Sequence, residues 1–255
     1  MKRFVPLMLV AMIVLTACQE EKKEITISAA ASLTDAINEA VALFEEENPE
    51  YDVAVNLGGS GSLSKQIIQG APVDVFFSAS VDHLMEVKEE GLLEDESIQA
   101  LLQNKLVWVQ PESTAPVTDM KTVDHIALGT PETVPAGMYA KQSLEDLGIY
   151  QGLNEQLVFT KDVRQVMQYV ESENADLGVV YQTDALISDK VQINDQLPLG
   201  EHDPIIYPVA MLHNAKEEAK PFYDFLQSEE VMDIFKEYGF EEVDGDVDDS
   251  IFSAN

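Results

Sequence analysis

The chain of 255 residues holds a single cysteine, Cys18, so no disulfide can form within it. Cations are scarce, with 15 Lys and Arg against 47 Asp and Glu and a formal charge of −32. That balance excludes nucleic acid as a partner, which needs a basic footprint. It also excludes electrostatic docking on anionic lipid. A strong acidic excess reads instead as a solvated surface that keeps the protein soluble. His83, His125, His202 and His213 stand in separate contexts without metal-ligand spacing and read as surface residues. No Gly-Lys-Ser/Thr phosphate loop is present, and Gly59-x-Gly61 lacks the third glycine of a dinucleotide fingerprint. Gly58-x-Ser60-x-Ser62 lacks the last glycine of a hydrolase elbow, and no His/Asp set is evident beside it.

The one cysteine is explained by its place. Lys2 and Arg3 form a basic start, and Phe4–Leu15 is an apolar run too short for a comfortable membrane span. Leu15-Thr16-Ala17-Cys18 then resembles a bacterial lipobox, with cleavage before Cys18 and lipid on its sulfur. Residues 1–17 are expected to be a lipoprotein signal peptide and residues 18–23 a polar tether. Loss of Lys2 and Arg3 takes the charge from −32 to −34.

The mature chain opens on a change of period. Ile25 and Ile27 alternate with polar residues as a strand does, and three alanines follow. Leu33, Ala36, Ile37, Ala40, Val41 and Phe44 then fall on one helix face. Ser32 lies at the switch with Asp35 three residues on, a serine-led capping signature. A strand that feeds a helix through small residues leaves first-turn N–H groups open, which suits an anion without any cationic side chain. A serine there is also an ordinary cap.

The junction recurs. Val53 and Val55 suggest a second strand running into Leu57–Ser62 and a helix over Leu63–Gln69. Ile126–Leu128 leads through Gly129–Gly137 to a helix ending near Leu147-Gly148. Leu157–Phe159 meets Asp162, a plausible cap, and a helix face of Val163, Val166, Met167 and Val170. Further strands are expected at Asp74–Ser78, Leu106–Val109 with Trp108 in the core, and Leu177–Tyr181. Helices are expected at Asp82–Glu90, Ser97–Leu102, from Thr183, at Lys220–Gln227, and at Glu229–Tyr238 with Ser228 as its cap. Pro208 within the strand-like Ile205–Leu212 suggests an edge or a crossover. Glu45–Glu47 and Glu94–Glu96 read as solvated faces. From Glu241 the composition turns acidic, and residues 244–255 are expected to be a disordered tail. Strands alternating with helices imply an α/β fold, whose ligands lie beyond the carboxyl ends of the strands.

In this order and spacing, AAASLTDAI, GSGSLSKQI, GAPVDVFFSAS, TPETVPAGMYAKQSL, DVRQVM, LGVVYQTDA and YPVAML resemble the molybdate-binding proteins of ABC importers. VPAGMYAK is the most specific piece, and the resemblance runs from about Glu24 to Val243. It implies a two-lobed type II periplasmic-binding-protein fold with two crossovers. Lobe one would be residues 24–104 plus 201–243, and lobe two residues 105–200. It also implies a monomer that captures molybdate, and tungstate with it, for an importer permease, without cofactor or catalysis. Motif matching assigns the oxyanion to Ser32 and Ser60 as hydroxyl and backbone donors, to Ala136 and Val163 as backbone N–H donors, and to Tyr181 as a phenol donor. Ser62 is the neighbour to consider beside Ser60. Together with the lipobox, the resemblance places the protein on the outer face of the cell membrane, anchored by Cys18.

Overall fold

A computed structural model describes residues 22–243 and residue 252. The signal peptide, Cys18 and residues 244–251 and 253–255 lie outside the described residues. The first half of the chain runs β1 (Lys23–Ala30), α1 (Thr34–Glu47), β2 (Tyr51–Gly58), α2 (Ser60–Ile68), β3 (Val75–Phe77), α3 (Val81–Glu89), β4 (Gln99–Gln103), β5 (Leu106–Pro111), β6 (Ile126–Gly129) and α4 (Pro135–Asp146). The second runs β7 (Leu157–Thr160), α5 (Val163–Glu171), β8 (Leu177–Tyr181), α6 (Gln182–Leu186), β9 (Val191–Ile193), β10 (Ile206–Met211), α7 (Lys220–Phe225), α8 (Glu229–Glu237) and β11 (Glu241–Glu242).

The strands form two mixed sheets, ordered β11-β4-β10-β3-β1-β2 and β7-β6-β8-β5-β9. The chain leaves the first sheet between β4 and β5 and returns to it between β9 and β10. Parallel pairing of β1 with β2 and β3 puts the carboxyl ends of these strands on one edge. Parallel pairing of β6 with β7 and β8 does the same in the second sheet. Each lobe is α/β, and its helices start from those edges. Apolar burial secures both lobes. In the first, Phe44 meets Tyr51, Phe222 and Phe225 at ring distances of 5.1–5.3 Å, joining α1 to α7. In the second, Trp108 is buried as expected, and its indole N–H donates to the Pro198 carbonyl at 3.0 Å.

Several expectations are corrected. Ser97–Leu102 is not a helix: a short 3-10 turn ends at Ser97, and β4 follows, paired with β10 and β11. A short apolar run carries no clear period, and strand pairing decided it. Pro208 lies on neither edge, because β10 runs between β3 and β4. It is tolerated there at a register shift between Tyr207 and Pro208, while its carbonyl accepts from the Ser78 N–H at 2.9 Å. His83 is buried rather than on the surface. Glu45 is half-buried and accepts from the Val53 N–H at 2.7 Å. Asp162 and Ser228 do cap their helices, accepting from the amides of Gln165 and Val231. Ser32 caps nothing.

Candidate functional site

The carboxyl edges of the two sheets face each other across a small cavity. Its lining comes from the ends of β1 and β2, from Ala79 beyond β3, and from the starts of α2, α4 and α5, with Tyr181 at the end of β8. All five residues selected from the sequence, Ser32, Ser60, Ala136, Val163 and Tyr181, line it together. None of the twelve lining residues is ionised at neutral pH. A larger groove lies at the other ends of β1 and β3, but its Asp74 carboxylate already accepts from the amides of Thr26 and Lys216.

The polar groups of the small cavity are hydrogen-bond donors. Ser60 and Val163 are the first residues of α2 and α5, and Ala136 is the second of α4, behind Pro135. First-turn N–H groups have no intrahelical acceptor, and the helix dipole places positive charge beside them. The Ser60 hydroxyl oxygen accepts from the Ala79 N–H at 2.9 Å, which leaves its own proton free. Ser32 Oγ lies 2.9 Å from the Tyr207 hydroxyl. The Tyr181 hydroxyl is buried without a hydrogen-bond partner among the described residues. Burial holds this phenol well above its ordinary range, so it keeps its proton. A buried O–H with no acceptor costs on the order of 1–3 kcal/mol, which an anion in the cavity would relieve.

Contacts across the cleft hold the lobes closed on this space. The Gly61 N–H donates to the Thr133 carbonyl at 3.0 Å. Arg164, next to Val163, donates through Nε to the Ala31 carbonyl at 3.2 Å and through Nη2 to Asp35 at 2.5 Å. Its Nε also lies 3.0 Å from the fully buried Asp184 carboxylate. Burial pushes the Asp184 carboxyl up to about 7, against the opposing pull of Arg164. Periodicity gave no sign of Arg164, Tyr207 or Asn104. The only available signal was Arg164 standing two residues after the Asp162 cap.

Two α/β lobes closed over a cavity of neutral donors, with the chain crossing twice between them, define a two-lobed binding protein of the type II periplasmic class. The model of the family "Bacterial extracellular solute-binding protein" matches residues 25–241, and the chain belongs to that family. A Bacillus subtilis lipoprotein, YvgL, named for substrate binding in an ABC transporter, is 44% identical over 87% of each chain. The molybdate-binding protein ModA of Escherichia coli is 36% identical over 86% of this chain and 90% of its own. A solved structure described as the substrate-binding domain of a molybdenum ABC transporter from Clostridium difficile superposes with a TM-score of 0.64. It is 38% identical and covers 87% of this chain and 99% of its own. The chain is accordingly a solute-binding protein and not an enzyme. No helix among the described residues is long and apolar enough to cross a membrane.

Proposed function

We propose that the protein captures molybdate, and tungstate with it, and delivers the anion to the permease of an ABC importer. The observation that carries this reading is the convergence of donors without any cation on one closed cavity, with the Tyr181 hydroxyl lacking an acceptor. Ser32 and Ser60 give O–H and N–H groups, Ala136 and Val163 give N–H groups, and Tyr181 gives its phenol. The lobes are residues 24–104 plus 201–243 and residues 105–200, hinged where the chain crosses between the sheets. Each lobe supplies part of the donor set, so the anion bridges them and favours the closed form, which the permease reads. The ligand needs no cofactor, and the protein acts as a monomer.

Donors of this kind select for an oxyanion with no proton of its own. Hydrogen phosphate would point its proton at another donor, at a cost of roughly 1–3 kcal/mol. Sulfate avoids that penalty but is smaller, so it loses contacts on one lobe. Calorimetric titration is expected to show molybdate and tungstate binding first, sulfate far behind and phosphate not at all. Phosphate displacing molybdate at comparable concentration would overturn the assignment, and a preference for sulfate would move it to that anion.

The cell-surface anchor in this reading is Cys18, lipidated after cleavage of residues 1–17. The relative YvgL is itself named a lipoprotein. Cys18→Ala is expected to leave the protein unprocessed or to release it from the membrane fraction. A chain starting at Glu24 should bind ligand unchanged. Wild-type protein cleaved elsewhere and recovered freely soluble would remove the anchor from the reading.

A further inference from the structure

Ser32 reaches the cavity with its hydroxyl already tied to Tyr207, and the direction of that bond decides what Ser32 can offer a ligand. Geometry alone allows either oxygen to donate across the 2.9 Å. The surroundings of Tyr207 settle it. Asn104, in the segment that crosses from β4 to β5, accepts the Lys105 N–H on Oδ1 at 2.8 Å. That bond fixes which end of the amide is nitrogen. Nδ2 then donates to Thr183 Oγ1 at 2.8 Å and to the Tyr207 hydroxyl oxygen at 3.3 Å. Tyr207 is fully buried, and besides Asn104 only Ser32 lies within hydrogen-bond distance of its hydroxyl, the Tyr181 phenol being a more distant neighbour. Its proton must go to Ser32, or it would be buried without an acceptor. Burial and the nearby Asp184 hold the phenol well above its ordinary range, so that proton stays in place. Ser32 therefore accepts from Tyr207, and its own proton is left to face the cavity.

We infer that Tyr207, oriented by Asn104, is a specificity-determining residue that sets Ser32 as a donor and so disfavours oxyanions carrying a proton. A free serine hydroxyl can turn either lone pair to the proton of hydrogen phosphate, whereas one that accepts from Tyr207 has a single lone pair left and turns its own proton to the cavity. The inference rests on the oxyanion reading of the cavity, but it concerns selectivity and not the presence of binding. It also gives two residues at the crossings between the lobes a role at the ligand: Asn104 at the first and Tyr207 just beyond the second.

The test compares molybdate affinity with displacement of molybdate by phosphate at neutral pH, in wild type, Tyr207→Phe and Asn104→Asp. The change Tyr207→Phe leaves the packing intact, because the ring that stays keeps its edge contacts with Phe240 at 5.4 Å and Tyr181 at 5.7 Å. Loss of the Tyr207 hydroxyl is expected to weaken molybdate about tenfold and to make phosphate a measurable competitor. Asn104→Asp puts an acceptor where Nδ2 stood, so Tyr207 turns to it and Ser32 donates to Tyr207. Ser32 then shows the cavity a lone pair, and the phosphate-to-molybdate affinity ratio should rise further than in Tyr207→Phe. The added charge repels both anions, which is why the ratio is the readout. A ratio unchanged from wild type in both variants, however far the affinities fall together, would reduce Tyr207 and Asn104 to structural residues. Wild-type protein that binds no molybdate would instead sink the oxyanion reading itself.

Discussion

Gly59→Ala is expected to weaken molybdate binding more than a hundredfold while leaving the stability of the ligand-free protein unchanged. The glycine is not required by its backbone, whose φ of −66° and ψ of 132° suit any residue. It is required by the closeness of the facing lobe. A Cβ built there would meet the Thr133 carbonyl oxygen at 2.6 Å, the Lys161 carbonyl oxygen at 3.1 Å and Val134 Cγ2 at 3.1 Å. Two of these atoms belong to peptide groups that cannot swing aside. Forcing the contact costs about 1–3 kcal/mol by overpacking. Parting the lobes avoids it, but then the donors of α4 and α5 withdraw from an anion held by α2 and β1. Each charge-assisted bond lost costs about 1.5–3 kcal/mol, and two such losses exceed a hundredfold. Parted lobes feel no clash, so the melting temperature without ligand should stay within a degree or two of wild type. Titration calorimetry and thermal melts measure the two halves of this expectation. Binding within threefold of wild type would mean that closure is not needed for capture.

The contrast between Gly59 and Ser32 shows what the sequence could and could not disclose. Strand-to-helix junctions at Ser32, Gly58–Ser62, Gly129–Gly137 and Asp162-Val163 are legible because a period of two gives way to a helical period within a few residues. The structure gathers all four junctions at one cavity. Ala136 and Val163 carry no side-chain signal, since their useful group is a backbone N–H, and only the family resemblance named them. Long-range partners were out of reach. Ser32 reads as a cap from its neighbours, yet its hydrogen bond goes to Tyr207, 175 residues away. Arg164 reads as one polar residue on a helix, yet it meets Ala31 across 133 residues. Pro208 reads as an edge or a crossover; β10 does follow the second crossing, but local rules do not reveal strand order, and it entered the sheet interior by shifting register at that residue. A lone His83 gives no sign that α3 will turn it against Gly61, where its ring lies under 3 Å from an added Cβ.

Val163→Pro tests the backbone half of the site, which side-chain truncation cannot reach. Val163 is the first residue of α5, and proline is well suited to that position because its fixed φ matches a helix start. The residue before it must be extended, and Asp162 already is, with φ −160° and ψ 169°. The Asp162 cap accepts from the Gln165 amide at 2.8 Å, a bond the proline does not touch. The substitution thus removes one N–H, puts a ring carbon in its place, and leaves the helix standing. Losing a hydrogen bond to an anion costs about 1.5–3 kcal/mol, or ten- to hundredfold in affinity. The ring carbon also faces the cavity, so the expected loss lies at the upper end of that range. Val163→Ala is the control, because it trims the buried side chain more than proline does but keeps the N–H. It should bind within a fewfold of wild type despite a lower melting temperature. If the proline and alanine variants bind molybdate alike, the Val163 amide does not hold the anion, and the donor on α5 must be sought elsewhere in its first turn.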